Sequence, residues 1–123
     1  MIIVPVLEGP VPMQVLTPDK LDSTLIEVVS RLRREFSPLA IIFFGSYVYG
    51  TPGRHSDLDL LVVVDHSSVP PHRRDAAAYR ALGDIPFPID VQVYTRDEFE
   101  KRAALPTSFE RTVKNKGRLL YAA

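Results

Sequence analysis

The sequence contains no cysteine. That excludes a disulfide framework and every thiolate metal site, and it leaves the compartment open. It also lacks an excess of charge of either sign, with 15 basic residues against 15 acidic ones. Direct nucleic-acid binding and attraction to an anionic membrane are therefore not expected, although a local basic patch stays open. No apolar run reaches the roughly 20 residues that span a bilayer, so no membrane partner is expected. The amino-terminal stretch 1–16 is apolar, but it has no basic region and is broken by Pro5, Pro10 and Pro12. It does not resemble a signal peptide. There is no repeat, no low-complexity tract and no Pro- or Ser-rich linker. The default expectation is a cytoplasmic protein with one domain over 1–123.

What is present alternates between helix and strand signals. Residues 1–16 form an extension with a turn at Glu8-Gly9-Pro10, readable as an edge strand, a hairpin or an arm on a partner. Thr17 as cap, Pro18 at the first helical position and Asp19 in the first turn open a helix over 18–36. Leu21, Leu25, Val28, Val29, Leu32 and Phe36 share one of its faces, Arg31, Arg33 and Arg34 crowd its end, and Ser37-Pro38 stops it. "LAIIFF" (39–44) and "LDLLVVV" (58–64) read as buried strands, with a short helix at Ser46–Gly50 between them. Pro70-Pro71 opens a helix to about Leu82, with Gly83 as its C′ residue. "FPIDVQVY" (87–94) is a third strand. Thr95 and Glu98 make a capping box for a helix over 96–104, Pro106 begins another that Gly117 ends, and "RLLY" (118–121) suits a last strand. The pattern predicts an α/β (α+β) fold, a mixed β-sheet flanked by helices.

Two aspartates open the second strand. Side chains alternate along a strand, so Asp57 and Asp59 point the same way. Like charges this close repel, and burial raises the cost. A divalent cation removes it, and hard oxygen ligands suit Mg²⁺ bound together with substrate phosphates. Asp90, in "PIDVQV", is the candidate third ligand if the third strand neighbours the second. Gly45 lets the backbone turn tightly or a ligand approach. Ser46 starts a helix whose first amides favour phosphate oxygens. Together these residues propose a nucleoside triphosphate, with a hydroxyl attacking its α-phosphorus and pyrophosphate leaving. Two metal ions about 4 Å apart would stabilise such an in-line displacement.

"GSYVYGTPGRHSDLDLLV" resembles the signature of the DNA polymerase beta-like nucleotidyltransferase superfamily, and in size the chain is similar to its minimal nucleotidyltransferases. Ten residues separate Ser46 from Asp57. The resemblance runs from the first helix through Asp90, and more weakly to "KGRLLY"; it does not reach 1–16. It implies Asp57, Asp59 and Asp90 as catalytic metal ligands and Gly45 and Ser46 as nucleotide contacts. One departure stands out. Relatives often show Gly-Ser-x-Ala-Arg-Gly, and here Tyr49 occupies the arginine position, with Arg54 or His55 as candidate substitutes.

Plainer readings compete elsewhere. Ser56 either bonds the local turn or contacts nucleotide. Tyr47 and Tyr49 either pack on the sheet or stack on a base. His55, His66 and His72 show no metal-ligand spacing. Arg73, Arg74 and Arg80 read as a solvated helix face, and Lys114, Lys116 and Arg118 as a surface cluster or a triphosphate contact. By resemblance, the expected function is Mg²⁺-dependent transfer of AMP from ATP to a partner protein, a small helical toxin encoded nearby, by the antitoxin of a toxin–antitoxin pair. The alternatives are a small-molecule acceptor, as in aminoglycoside nucleotidyltransferases, and an antitoxin acting by contact alone. A homo-oligomer through 1–16 also stays open.

Overall fold

Helix α1 (Pro18–Phe36) begins where its cap is: the Thr17 hydroxyl accepts from Lys20 N–H, and Pro18 occupies the first turn. It ends on Ser37, whose left-handed φ of 47° is paired with an N–H bond to Arg33 O at 3.0 Å. The computed structural model describes residues 17–123, so the amino-terminal extension with its Glu8-Gly9-Pro10 turn lies outside the described residues. Leu21, Leu25, Val28 and Leu32 are at most 1% exposed. Each contributes about 1.5–3 kcal/mol of burial. Val29 and Phe36 pack at the margin of the same core.

The remaining elements follow in the expected order: β1 (Ala40–Phe44), α2 (Ser46–Tyr49), β2 (Leu58–Val64), α3 (Pro71–Ala81), β3 (Ile89–Thr95), α4 (Arg96–Ala103), α5 (Phe109–Lys116) and β4 (Arg118–Ala122). The four strands form one sheet in the order β3-β2-β1-β4. β1 runs antiparallel to β2 and β4, while β2 and β3 are parallel, as a strand–helix–strand crossover through α3 requires. The sheet is therefore mixed. Among the described residues no helix is long and apolar enough to cross a membrane.

Each face of the sheet has its own core. Leu58, Leu60, Val62, Val91 and Val93 face α1 and α3; Leu61, Val63, Phe44 and Tyr94 face α4 and α5 with Phe99, Ala103 and Val113. β2 is thus covered on both sides, and Asp59 is its one residue that is not fully buried.

Local differences from expectation have local causes. α5 starts at Phe109 rather than Pro106 because Ser108 is the cap, its hydroxyl accepting from Arg111 N–H at 3.0 Å. Gly83 follows the α3 cap Leu82 but is not left-handed; the helix unwinds through bonds from Leu82 N–H to both Ala78 and Tyr79 carbonyls. Arg73 and Arg80 are exposed as expected, but Arg74 is not. It is 5% exposed, donating to both carboxylate oxygens of Glu98 at 2.8 and 2.9 Å and to the carbonyls of Val69 and Val93. Its charge favours solvent, but its position lies on the face of Ala78 and Leu82, and the bidentate carboxylate satisfies the guanidinium there. Glu98 also closes the capping box with Thr95. Lys114 is occupied in a tie between α5 and α4, to Glu100 at 3.1 Å.

Candidate active site

Asp59 and Asp90 are direct partners in the parallel ladder between β2 and β3. Paired residues of neighbouring strands point to the same face, so both carboxylates project from one side of the sheet. That side carries α4 and α5, which cover the sheet at Val63 and Tyr94. Asp57 stands exposed just before β2, and Asp59 and Asp90 are partly buried. The sequence places all three acids, and the sheet brings them to the same end.

Their electrostatics follow from that placement. The Asp59 carboxyl is pushed up to about 6, first by burial, then by the charges of Asp90 and Asp57. No cause acts in the other direction. Yet among the described residues no three His, Cys, Asp or Glu side chains stand as a ready-made metal cage. The two observations are compatible. The acids are near enough to feel one another's charge, and Asp90 is held on one oxygen by the Tyr79 hydroxyl, which donates to its Oδ1 at 2.8 Å. The acids are coupled in charge without being closed into a shell.

Gly45 lies against this cluster. It joins β1 to α2 with φ 86° and ψ −160°, a conformation that L side chains rarely adopt. A Cβ at this position would overlap Asp59 Oδ2 and lie 3.0 Å from its Cγ. Backbone and carboxylate are in contact because glycine has no side chain. Ser46 then opens α2, and Val48 and Tyr49 N–H bond back to Gly45 O at 2.9 and 3.1 Å. The earliest amides of a helix precede its internal bonds and favour anions. α2 carries no basic residue in its last turn.

Other sequence candidates separate clearly. The Ser56 hydroxyl accepts from Gly53 N–H at 2.8 Å, which holds the loop ahead of Asp57. Tyr47 is 2% exposed and packs with Phe43 and Phe87. Tyr49 is 44% exposed. The residue that sequence reasoning missed is Tyr79. Nothing in its spacing marks it; only the knowledge that α3 runs beside β3 could have drawn attention to it.

By the chemistry of its donors the set would suit a hard divalent cation. It is all carboxylate oxygen, it includes a partly buried acid whose ionised form lacks compensation, and the adjoining backbone is bare. Asp57, Asp59 and Asp90 are the residues that could hold such an ion.

Comparison with known proteins agrees with this geometry. Residues 25–120 match the family model described as the nucleotidyltransferase domain. A crystal structure of a "putative nucleotidyltransferase" from Sulfolobus solfataricus superposes with a TM-score of 0.58 at 22% identity, covering 81% of this chain and 78% of that one. At that identity the likeness establishes the fold. No curated protein matches the sequence. The family match spans well over half of the chain, and the fold agrees with it: this protein belongs to the nucleotidyltransferase domain family.

Proposed function

We propose that the protein transfers AMP from ATP to a hydroxyl group of a partner protein, with Mg²⁺ held by Asp57, Asp59 and Asp90. The observation that carries this reading is the contact of Asp59 with Gly45 beside a second carboxylate, Asp90. It joins an uncompensated cation site to the start of a phosphate-binding turn. When bound, the metal neutralises charge on the triphosphate and polarises the α-phosphoryl group. The chain's own contribution is placement. Gly45 and Ser46 approach the phosphates with backbone alone, Ser56 steadies the loop before Asp57, and β2 and β3 fix the spacing of the acids. The acceptor oxygen forms the new bond to the α-phosphorus, the bond to the bridging oxygen breaks, and pyrophosphate leaves. The hydroxyl proton departs to a carboxylate or to water.

Asp57 is exposed, which leaves it within reach of an acceptor hydroxyl on a macromolecular surface. By resemblance to the minimal nucleotidyltransferases, the partner is a small helical toxin encoded nearby and the protein its antitoxin. The exposed Tyr49, on a turn without a basic residue, favours a second reading, an antitoxin that acts by contact alone. The test is incubation with α-³²P-labelled ATP, Mg²⁺ and the product of the adjacent gene. Label on that partner, lost in Asp57→Asn and Asp59→Asn, is the expected result. Neutralisation of the partner that persists in both variants, with no label transferred, contradicts catalysis.

A further inference from the structure

β3 lies at the edge of the sheet, and side chains of α3 take the place of a neighbouring strand. Asp75 Oδ1 accepts from Val93 N–H at 2.8 Å, Arg74 donates to Val93 O at 3.1 Å, and Tyr79 Oη accepts from Val91 N–H at 3.3 Å. These contacts blunt an exposed edge. Tyr79 alone also contacts a site acid, donating to Asp90 Oδ1 at 2.8 Å.

The geometry makes this contact unusual for α3. The helix packs through Ala78 and Leu82 on the face that holds Val91 and Val93. Asp90 alternates with Val91 and therefore faces the other side. The phenol reaches round the edge of β3 to meet it. Without that bond, repulsion from Asp59 and Asp57 would favour rotamers of Asp90 directed away from them. With it, Oδ1 is fixed, and the carboxylate keeps its second oxygen for a ligand. Hydrogen bonds to a ligand's second oxygen commonly orient metal-binding carboxylates in this manner.

We propose that Tyr79 is a positioning residue, holding Asp90 through Oδ1 so that Oδ2 is offered, beside Asp59, to the divalent cation of the bound nucleotide. The inference rests on the proposed reading of Asp57, Asp59 and Asp90 as the ligand set. It differs from a strand-capping role, which Asp75 performs without touching an acid of the site.

The experiment uses Mn²⁺ in place of Mg²⁺ and α,β-methylene-ATP in place of ATP. Free Mn²⁺ is followed by electron paramagnetic resonance as metal is added to the full chain, and melting is recorded in parallel. Tyr79→Phe is expected to weaken Mn²⁺ binding by about 10–100-fold while leaving the melting temperature close to wild type. Asp75→Ala is expected to lower the melting temperature and keep the Mn²⁺ affinity. Asp90→Asn is expected to match the Tyr79→Phe loss or exceed it, and adding Tyr79→Phe to Asp90→Asn should cost nothing more. Wild-type Mn²⁺ affinity in Tyr79→Phe alongside a loss in Asp90→Asn overturns the positioning role and leaves the ligand set standing. Equal losses of affinity in Tyr79→Phe and Asp75→Ala also overturn it, because loosening of the edge would then suffice. Wild-type affinity in Asp90→Asn removes the ligand reading itself.

Discussion

Glu98 and Asp59 are both partly buried carboxylates in one small fold, and their surroundings drive them in opposite directions. Glu98 meets the Arg74 guanidinium on both oxygens and accepts from Thr95 N–H; its pKa falls to about 2. Asp59 lies partly buried against a bare glycine and beside two further acids; burial first and then the charges of Asp90 and Asp57 raise its pKa to about 6. For Glu98 the chain supplies the cation. For Asp59 it supplies burial, more negative charge and an approach route. Stability alone would select against the second arrangement, which is the pattern expected where a ligand completes the charge balance.

Neutralising either acid sharpens the contrast. Asp59→Asn should reduce nucleotidyl transfer by about 100-fold or more, the equivalent of several kcal/mol of lost metal-dependent stabilisation, in a labelled-ATP assay. Metal-free, the same variant should melt above wild type near neutral pH, because a repelled charge is gone. Glu98→Ala should do the reverse to stability. It strands the buried Arg74 and should cost about 3 kcal/mol in denaturant unfolding, toward the low end for such pairs because Glu98 is itself partly solvated. Gly45→Ala comes next. Its positive φ and the overlap with Asp59 should cost about 1–3 kcal/mol of stability and most of the activity.

Acidity separates the two carboxylates by sign. Glu98's contribution should be fully present above about pH 4.5 and lost as pH falls toward 2, since its folded pKa lies below its unfolded value. Asp59 has the raised value, so the metal-free protein should be favoured below about pH 4 and lose stability as pH rises to about 6, levelling beyond. After allowance for solvent screening the loss is about 1 kcal/mol. Melting temperatures across this range, in chelator and in Mg²⁺ with nucleotide, check it; the dip should vanish in Asp59→Asn and shrink with ligand. Tyr49→Arg should have the smallest effect, tightening ATP binding by about 5-fold at most, as an exposed charge contact allows.

Much of this contrast was legible before any coordinates. The apolar runs, the caps at Thr17 and Thr95 and the Asp57-x-Asp59 spacing are local signals, and local signals survive folding. Asp90 was legible through its strand pattern on the condition that the third strand neighbours the second, and β3 does lie beside β2, in parallel. Arg74 was not legible. Its charge favoured solvent, and its burial depends on Glu98, a partner on another helix. Tyr79 failed to show for the same reason: it acts across the edge of a sheet whose strand order is a tertiary fact. Opposed pKa shifts likewise follow from who stands beside each acid, which no single stretch of sequence records.

The central claim is that Asp59 waits for a metal–nucleotide complex in the way Glu98 does not. Calorimetric titration of Mg²⁺ with α,β-methylene-ATP into wild type, Asp59→Asn and Glu98→Gln tests it most directly. Binding by wild type and by folded Glu98→Gln, with none by Asp59→Asn, is the predicted result. Unchanged binding by Asp59→Asn would contradict the account.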